Sequence, residues 1–207
     1  MRLSMARTGA ALAALLLAVS PPAFTHAQNT LVKERHMNTK KILVAFFSRT
    51  GENYAVGHIE QGNTHIVAEM IASATGGTLF RITPAQPYTS ADLNWNNKQS
   101  RSSVEMDDPK ARPALKGKVD NLAAYDVVFL GYPIWWGVAP RIINTFIESH
   151  DLKGKKLVPF ATSGGSSISE SVSALRKTYS DLDWKDGKLL NGASQKTVAD
   201  WVNSLGL

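Results

Sequence analysis

Short apolar runs punctuate the chain at wide intervals, and each ends on small or polar residues. Ile42-Leu43-Val44-Ala45-Phe46-Phe47 leads into Ser48, and Leu79-Phe80-Arg81-Ile82 leads into Thr83. Val127-Val128-Phe129-Leu130 runs to Gly131 and Tyr132, and Leu157-Val158-Pro159-Phe160-Ala161 runs to Thr162. Short runs without alternation fit strands covered on both faces, as in a parallel sheet. Between them apolar residues recur at helical spacing. Ile66, Val67, Met70, Ile71 and Ala74 share one face of a helix beginning near Asn63, and Ile142, Ile143, Phe146 and Ile147 share another after Pro140. Ile168, Val172 and Leu175 make a third, and Val198, Trp201, Val202 and Leu205 a closing one. Strands alternating with helices predict βαβ units with right-handed crossovers, and so an α/β fold with a doubly wound parallel sheet.

Two segments break the rhythm. Residues 86–115 are polar, contain Pro87, Pro109 and Pro113, and read as a long excursion with little regular structure. Residues 181–192 carry a weak last strand at 188–190. The chain shows no internal repeat.

The first 27 residues do not read as fold. Arg2 and Arg7 precede an Ala/Leu/Val-rich run over 10–19, and Thr25-His26-Ala27 follows. That order is expected of a secretory signal peptide cleaved after Ala27. The run is far short of the roughly 20 residues that span a bilayer, so no stable membrane insertion is expected after cleavage. The organisation expected is a signal peptide over 1–27, a linker over 28–39 and one domain over 40–207, exported to a bacterial periplasm. The alternative is a cytoplasmic protein translated from Met37, where Met-Asn-Thr-Lys-Lys makes a plausible start.

Composition narrows the chemistry. With 43% hydrophobic residues, the chain can bury a full core. The absence of cysteine excludes disulfides, thiolate metal sites and a cysteine nucleophile, and makes an oxidising compartment harmless. Without Arg2 and Arg7, 21 basic residues stand against 17 acidic ones. The bases are scattered and not interleaved with aromatics, so nucleic acid is not an expected partner. No His-Glu-x-x-His, carboxylate pair or Ser/His/Asp spacing supports hydrolysis, and the five histidines lie apart. No catalytic side chain and no metal site are nominated.

In open parallel sheets, ligands bind at the carboxyl ends of strands, where strand order reverses. The loop after the first strand begins Ser48-Arg49-Thr50-Gly51 and re-enters a helix through Gly62-Asn63-Thr64. Its hydroxyls, accessible backbone and helix N-terminus suit an anion or, equally, a helix cap. It lacks both G-x-x-x-x-G-K-[ST] and G-x-G-x-x-G. The third strand ends in Tyr132-Pro133-Ile134-Trp135-Trp136-Gly137, with two large rings where water should reach. Either they stack on something flat or they pack beneath the polar excursion. The fourth strand ends in Thr162-Ser163-Gly164-Gly165-Ser166-Ser167, again rich in potential donors. A cradle, an aromatic wall and a donor-rich loop on one edge suit a phosphorylated flat heterocycle.

These loops resemble those of the flavodoxin-like family, in the branch with YPIWWG and TSGGSS loops, from about residue 40 to the C-terminus. The resemblance implies a five-stranded parallel sheet of order 2-1-3-4-5, with helices on both faces, holding flavin mononucleotide (FMN) without a covalent bond. Carried over, Ser48, Arg49, Thr50, Asn63 and Thr64 would hold the phosphate. Pro133, Ile134, Trp135, Trp136 and Gly137 would flank the isoalloxazine, and Thr162, Ser163, Gly164 and Gly165 would close its other side. Excising 52–62 leaves Ser48-Arg49-Thr50-Gly51-Asn63-Thr64, the phosphate-loop pattern of the family. Residues 52–62 are thus expected to be an insertion, with Tyr54 and His58 folded on the surface or leaning over the ligand. The implied function is electron carriage to a redox partner protein or a small-molecule acceptor. The alternatives are an NAD(P)H-dependent quinone or flavin reductase and a non-redox module for a phosphorylated ligand. Unlike the electron-carrier flavodoxins, which are usually acidic and cytosolic, this chain is basic and is expected to be exported.

Overall fold

The structure is a computed structural model that describes residues 40–53 and 56–207; the expected leader, the linker, Met37 and Tyr54 lie outside the described residues. In chain order the elements are β1 Ile42–Phe46, β2 Gly51–Asn53, β3 Gly57–Ile59, α1 Asn63–Thr75, β4 Thr78–Arg81, α2 Arg101–Asp107 and β5 Val127–Pro133. There follow α3 Arg141–Glu148, β6 Lys156–Thr162, α4 Ile168–Thr178, β7 Asp183–Trp184, β8 Lys188–Leu189 and α5 Gln195–Ser204.

The main sheet is wholly parallel and runs β4-β1-β5-β6, with β7 and β8 both on the outer side of β6. β7 pairs with Lys156 and Leu157, and β8 with Phe160 and Ala161. They are one fifth strand interrupted at 185–187, so the predicted order 2-1-3-4-5 holds. The sequence pattern marks only the second half, because Asp183-Trp184 is too short and polar to register. At the interruption Gly187 lies tight under α4, where a Cβ would come within 2.8 Å of Val172.

Alternate strand residues feed two cores. Leu43, Ala45, Phe47, Val128, Leu130 and Tyr132 pack with Ile142, Ile143 and Phe146 of α3 and Leu175 of α4. Val44, Phe46, Val127, Phe129, Val158 and Phe160 pack with Val67 and Ile71 of α1 and Val198 and Trp201 of α5. Burial on both faces is why these strands read as unbroken apolar runs.

The excursion after β4 leaves and returns through one narrow neck. Ala85 N–H donates to Ala114 O at 2.7 Å, and Lys116 N–H donates to Thr83 O at 2.8 Å. The expectation of little regular structure between them is corrected by α2. Apolar periodicity does not build this helix: Val104 is 54% exposed. Polar contacts do. Ser100 caps its start by accepting from Ser103 N–H. Arg101 pairs with Glu105 one turn on at 2.7 Å. Arg141, at the start of α3, donates to Met106 O at 2.8 Å and so satisfies a terminal carbonyl.

Beyond α2, Arg112 donates to both oxygens of Glu148 at 2.7 and 2.8 Å. Val119 N–H donates to His150 Nε2 at 3.1 Å, which assigns the ring proton to Nδ1, 2.8 Å from Phe146 O. Burial lowers the His150 pKa; Phe146 O opposes the shift, and Lys118 adds to it. The folded protein therefore holds this imidazole neutral. Its contribution to stability is complete above the ordinary histidine pKa of about 6.5 and is lost as pH falls through the lower folded value. The thermal midpoint should fall between pH 7 and pH 5. His150→Gln, whose amide oxygen can accept from Val119, should flatten that fall; an unchanged slope in thermal unfolding would count against this assignment.

Candidate ligand site at the carboxyl edge of the sheet

The first loop is closed by a contact that only glycine allows. A Cβ on Gly62 would lie 2.1 Å from Ser48 Oγ and 2.2 Å from Arg49 O. The residues before and after the expected insertion therefore touch. Between them the chain makes an antiparallel ribbon, β2 on β3, with Glu52 opposite His58. The His58 ring lies on the surface between Glu52 and Glu60, at 3.1 and 3.2 Å.

Each residue expected to hold phosphate has a definite place. Ser48 is buried, and its Oγ accepts from His65 N–H at 3.2 Å, capping α1. Arg49 is turned to the protein: its guanidinium donates to Glu52 O at 3.1 Å and Tyr88 O at 3.4 Å. Burial lowers its pKa, against the pull of Asp92. Thr50 is exposed and Asn63 half-buried, and neither side chain has a hydrogen-bond partner among the described residues. Thr64 is 1% exposed, and its hydroxyl meets that of Thr162 at 2.8 Å. The first turn of α1 has no acidic residue, and Gly62 has no side chain to cap it. The N–H groups of Asn63 and Thr64 find no acceptor among the described residues. A helix start with its first N–H groups unpaired carries a partial positive charge and aligned donors.

The two tryptophans part company. Trp135 and Val138 exchange backbone hydrogen bonds of 3.0 Å in each direction, closing a two-residue turn. Trp136 and Gly137 occupy it at φ 48° and 80°. Both central residues are left-handed, a turn that favours Asn-Gly and strains a tryptophan by about 1–2 kcal/mol. Trp136 is 50% exposed. Trp135 instead packs edge-on against Phe47 and Tyr88, with centroids 5.6 and 5.2 Å away. It belongs to the core beneath the excursion, the second of the two fates the sequence leaves open. Pro133 is half-buried and Ile134 buried, with Ile134 N–H donating to Thr162 O at 2.9 Å.

In the fourth loop Ser163 is the organiser. Its Oγ accepts from the N–H groups of Gly165 and Ser166, at 3.1 and 2.8 Å. Asn191 holds it from outside, accepting from Ser163 N–H at 2.8 Å and donating to Ser163 O at 2.6 Å. Gly164 and Gly165 are exposed. Asn191 and Tyr88 are absent from the sequence reading. Only the Asn-Gly pair at 191–192 marks the first as a turn residue, and nothing local marks the second. Tyr88 is buried under Arg101, whose guanidinium lies 4.0 Å from the ring centroid, and its hydroxyl donates to Glu105. Cavities of about 350 and 300 Å³ open elsewhere, beside Lys118 and beside Asp120, and neither is lined by these three loops. Among the described residues, no cluster of His, Cys, Asp or Glu could hold a metal ion, and no helix is long and apolar enough to cross a membrane.

This sheet order, with these loops at its carboxyl edge, defines a flavodoxin-like protein. The chain belongs to the flavodoxin family, whose sequence profile matches residues 41–205. A protein of Bacteroides eggerthii DSM 20697, provisionally described as a flavoprotein, has a crystal structure 59% identical to this chain. That match covers 81% of this chain and 99% of the other, with a TM-score of 0.74. A similarly described protein of Bacteroides uniformis ATCC 8492 is 51% identical over 80% of this chain and 99% of its own, with a TM-score of 0.72. A flavoprotein from Lactobacillus acidophilus NCFM, crystallised with FMN, shares the fold at 21% identity. It covers 72% of this chain and 93% of its own, with a TM-score of 0.56. Comparison with curated proteins gives no match.

Arg49 joins three segments through two carbonyls. Arg49→Ala should speed amide hydrogen exchange at Glu52, His58, Ile59 and Tyr88 by roughly tenfold, the scale of one lost hydrogen bond. The amides of β1 and β5 should be unaffected; uniform acceleration across the sheet would mean global destabilisation instead.

Proposed function

We propose that this chain is an FMN-binding redox protein that carries electrons through a non-covalently held flavin. The observation that carries the reading is Trp136, a half-exposed ring held in strained left-handed backbone at a strand end. Backbone strain of this kind persists where the surrounding structure enforces it, and it clusters at ligand sites. The same edge carries the start of α1, whose first two N–H groups, those of Asn63 and Thr64, offer donors to an anion. The FMN held by the Lactobacillus acidophilus flavoprotein of the same fold supports the choice of ligand.

The residues fit such a group. Thr50 Oγ1, the Asn63 amide and the N–H groups of Asn63 and Thr64 would meet the phosphate. Ser48 and Arg49 serve it from behind, Ser48 by capping α1 and Arg49 by pinning the loop. Trp136 would lie against the isoalloxazine, with Pro133, Ile134 and Gly137 shaping the wall and Trp135 bracing the turn. Ser163, Gly164 and Gly165 would close the other side, held in place by Asn191. Bound FMN supplies reversible one- or two-electron transfer, and the chain's own part is to hold it, orient it and limit its contact with water. The electrons would pass to a redox partner protein or a small-molecule acceptor. The signal-like 1–27 segment supports placing this activity in a bacterial periplasm.

Titration of the purified protein with FMN should give one-to-one binding and flavin colour, with riboflavin binding more weakly. Trp136→Gly should raise thermal stability by about 1 kcal/mol by relieving the left-handed strain. The same change should weaken FMN binding by roughly ten- to a hundredfold through the lost stacking. A colourless protein indifferent to FMN would sink the reading. Steady NAD(P)H oxidation with a quinone, by the isolated protein, would move it to a reductase.

A further inference from the structure

Asn191 and Gly192 are the only Asn-Gly pair in the chain. They fill the turn that follows β8: Leu190 N–H donates to Ala161 O at 2.9 Å, and Ala193 N–H donates back to Leu190 O at 3.4 Å. Both are exposed, and Gly192 has φ 57° with nothing within 4 Å of where a Cβ would stand. The Asn191 side chain is nevertheless held. Its amide pairs with both backbone groups of Ser163, accepting from the N–H at 2.8 Å and donating to the carbonyl at 2.6 Å. Ser163 in turn gathers the N–H groups of Gly165 and Ser166. One side-chain amide therefore ties the fourth loop to the turn before α5.

The same amide carbon is an electrophile, and the backbone nitrogen of a following glycine has no Cβ beside it to shield it. Once deprotonated, the Gly192 nitrogen can attack Asn191 Cγ. The N–Cγ bond forms, the Cγ–Nδ2 bond breaks, and Nδ2 leaves as ammonia with the proton the nitrogen gave up. Water then opens the cyclic imide at either carbonyl, giving aspartate or isoaspartate. Nothing is oxidised or reduced; an NH2 group is exchanged for OH. Either product loses the Nδ2 donor and gains a negative charge, so Ser163 O faces a carboxylate instead of an N–H. Isoaspartate also adds a methylene to the main chain of the turn.

We propose that Asn191–Gly192 is a deamidation site whose conversion slackens the fourth loop and weakens the ring side of the ligand site. Attack requires the Asn191 side chain to turn away from Ser163. The reaction therefore samples the open moments of the loop, and a ligand that keeps the loop closed slows it. The loss of binding rests on the FMN reading; the chemistry of the turn does not.

The test ages the purified full chain at mildly alkaline pH, which deprotonates the attacking nitrogen, with and without saturating FMN. Mass spectrometry of digests should show the NH2-to-OH exchange at Asn191, resolved into two isomeric peptides and several-fold slower with FMN. Gly192→Ala should slow it by roughly tenfold or more, since its Cβ crowds the nitrogen. Asn191→Asp, which reproduces the aspartate product, should bind FMN and riboflavin each about tenfold more weakly, the scale of one lost hydrogen bond. Riboflavin keeps the ring and lacks the phosphate, so equal losses place the effect on the ring side. Asn191 still intact after a free peptide of the same residues has reacted fully would overturn the site. Wild-type affinity for both flavins in Asn191→Asp, or loss for FMN alone, would overturn its link to the ring side, as would equal ageing rates in a chain shown to bind FMN. A wild-type chain that binds neither flavin would end the FMN reading itself. The amides of Gly165 and Ser166, exchanging about tenfold faster in Asn191→Asp, would still report the slackened loop.

Discussion

The contact of Gly62 with Ser48 and Arg49 is the constraint on which the carboxyl edge depends. The chain leaves β1 at Ser48 and must enter α1 beside it, although the β2–β3 ribbon separates the two. Closure at Gly62 solves this by bringing the departing and returning backbones closer than any Cβ would permit. From that contact follow the seat of Ser48 Oγ on the His65 amide, the position of α1 and the meeting of Thr64 with Thr162. Because the residues of β2 and β3 satisfy one another in a ribbon, they make few demands on the loop beneath. Lengthening a surface loop costs little closure entropy once its ends are fixed.

The inner strands β1, β5 and β6 and four of the helices were legible from the sequence because burial there is periodic or continuous, whereas β4, read as covered on both faces, is an edge strand with Leu79 41% exposed. Strands covered on both faces must be apolar throughout, and amphipathic helices must repeat their apolar residues. Legibility failed wherever polar tertiary contacts do the work. α2 depends on Ser100, Arg101, Glu105 and Arg141, residue types that also populate loops. The first half of the fifth strand is two residues long, below the length at which any pattern speaks.

The placement of the three candidate loops was legible by segment and not by side chain. All three loops do lie on one edge, as their composition suggests. Adjacent tryptophans, however, have opposite fates: one is locked against Phe47 and Tyr88, and the other is thrust outward by a two-residue turn. No local rule separates them, because the turn is set by the pairing of Trp135 with Val138. Likewise Arg49 reads as an anion ligand, yet its guanidinium is spent on two carbonyls. Asn191 reads only as a turn residue, because a clamp between segments 28 residues apart leaves no local sign of its partner.

The broken fifth strand has a consequence at the border of the molecule. A parallel sheet ending in a long straight strand would offer a row of free amides and carbonyls to any passing chain. Here that border consists of two fragments of two residues each, separated by a bend pressed under α4. The opposite border, β4, is four residues long and ends on Arg81. Both rims are short, which leaves little edge for another strand to pair with and blunts edge-to-edge aggregation.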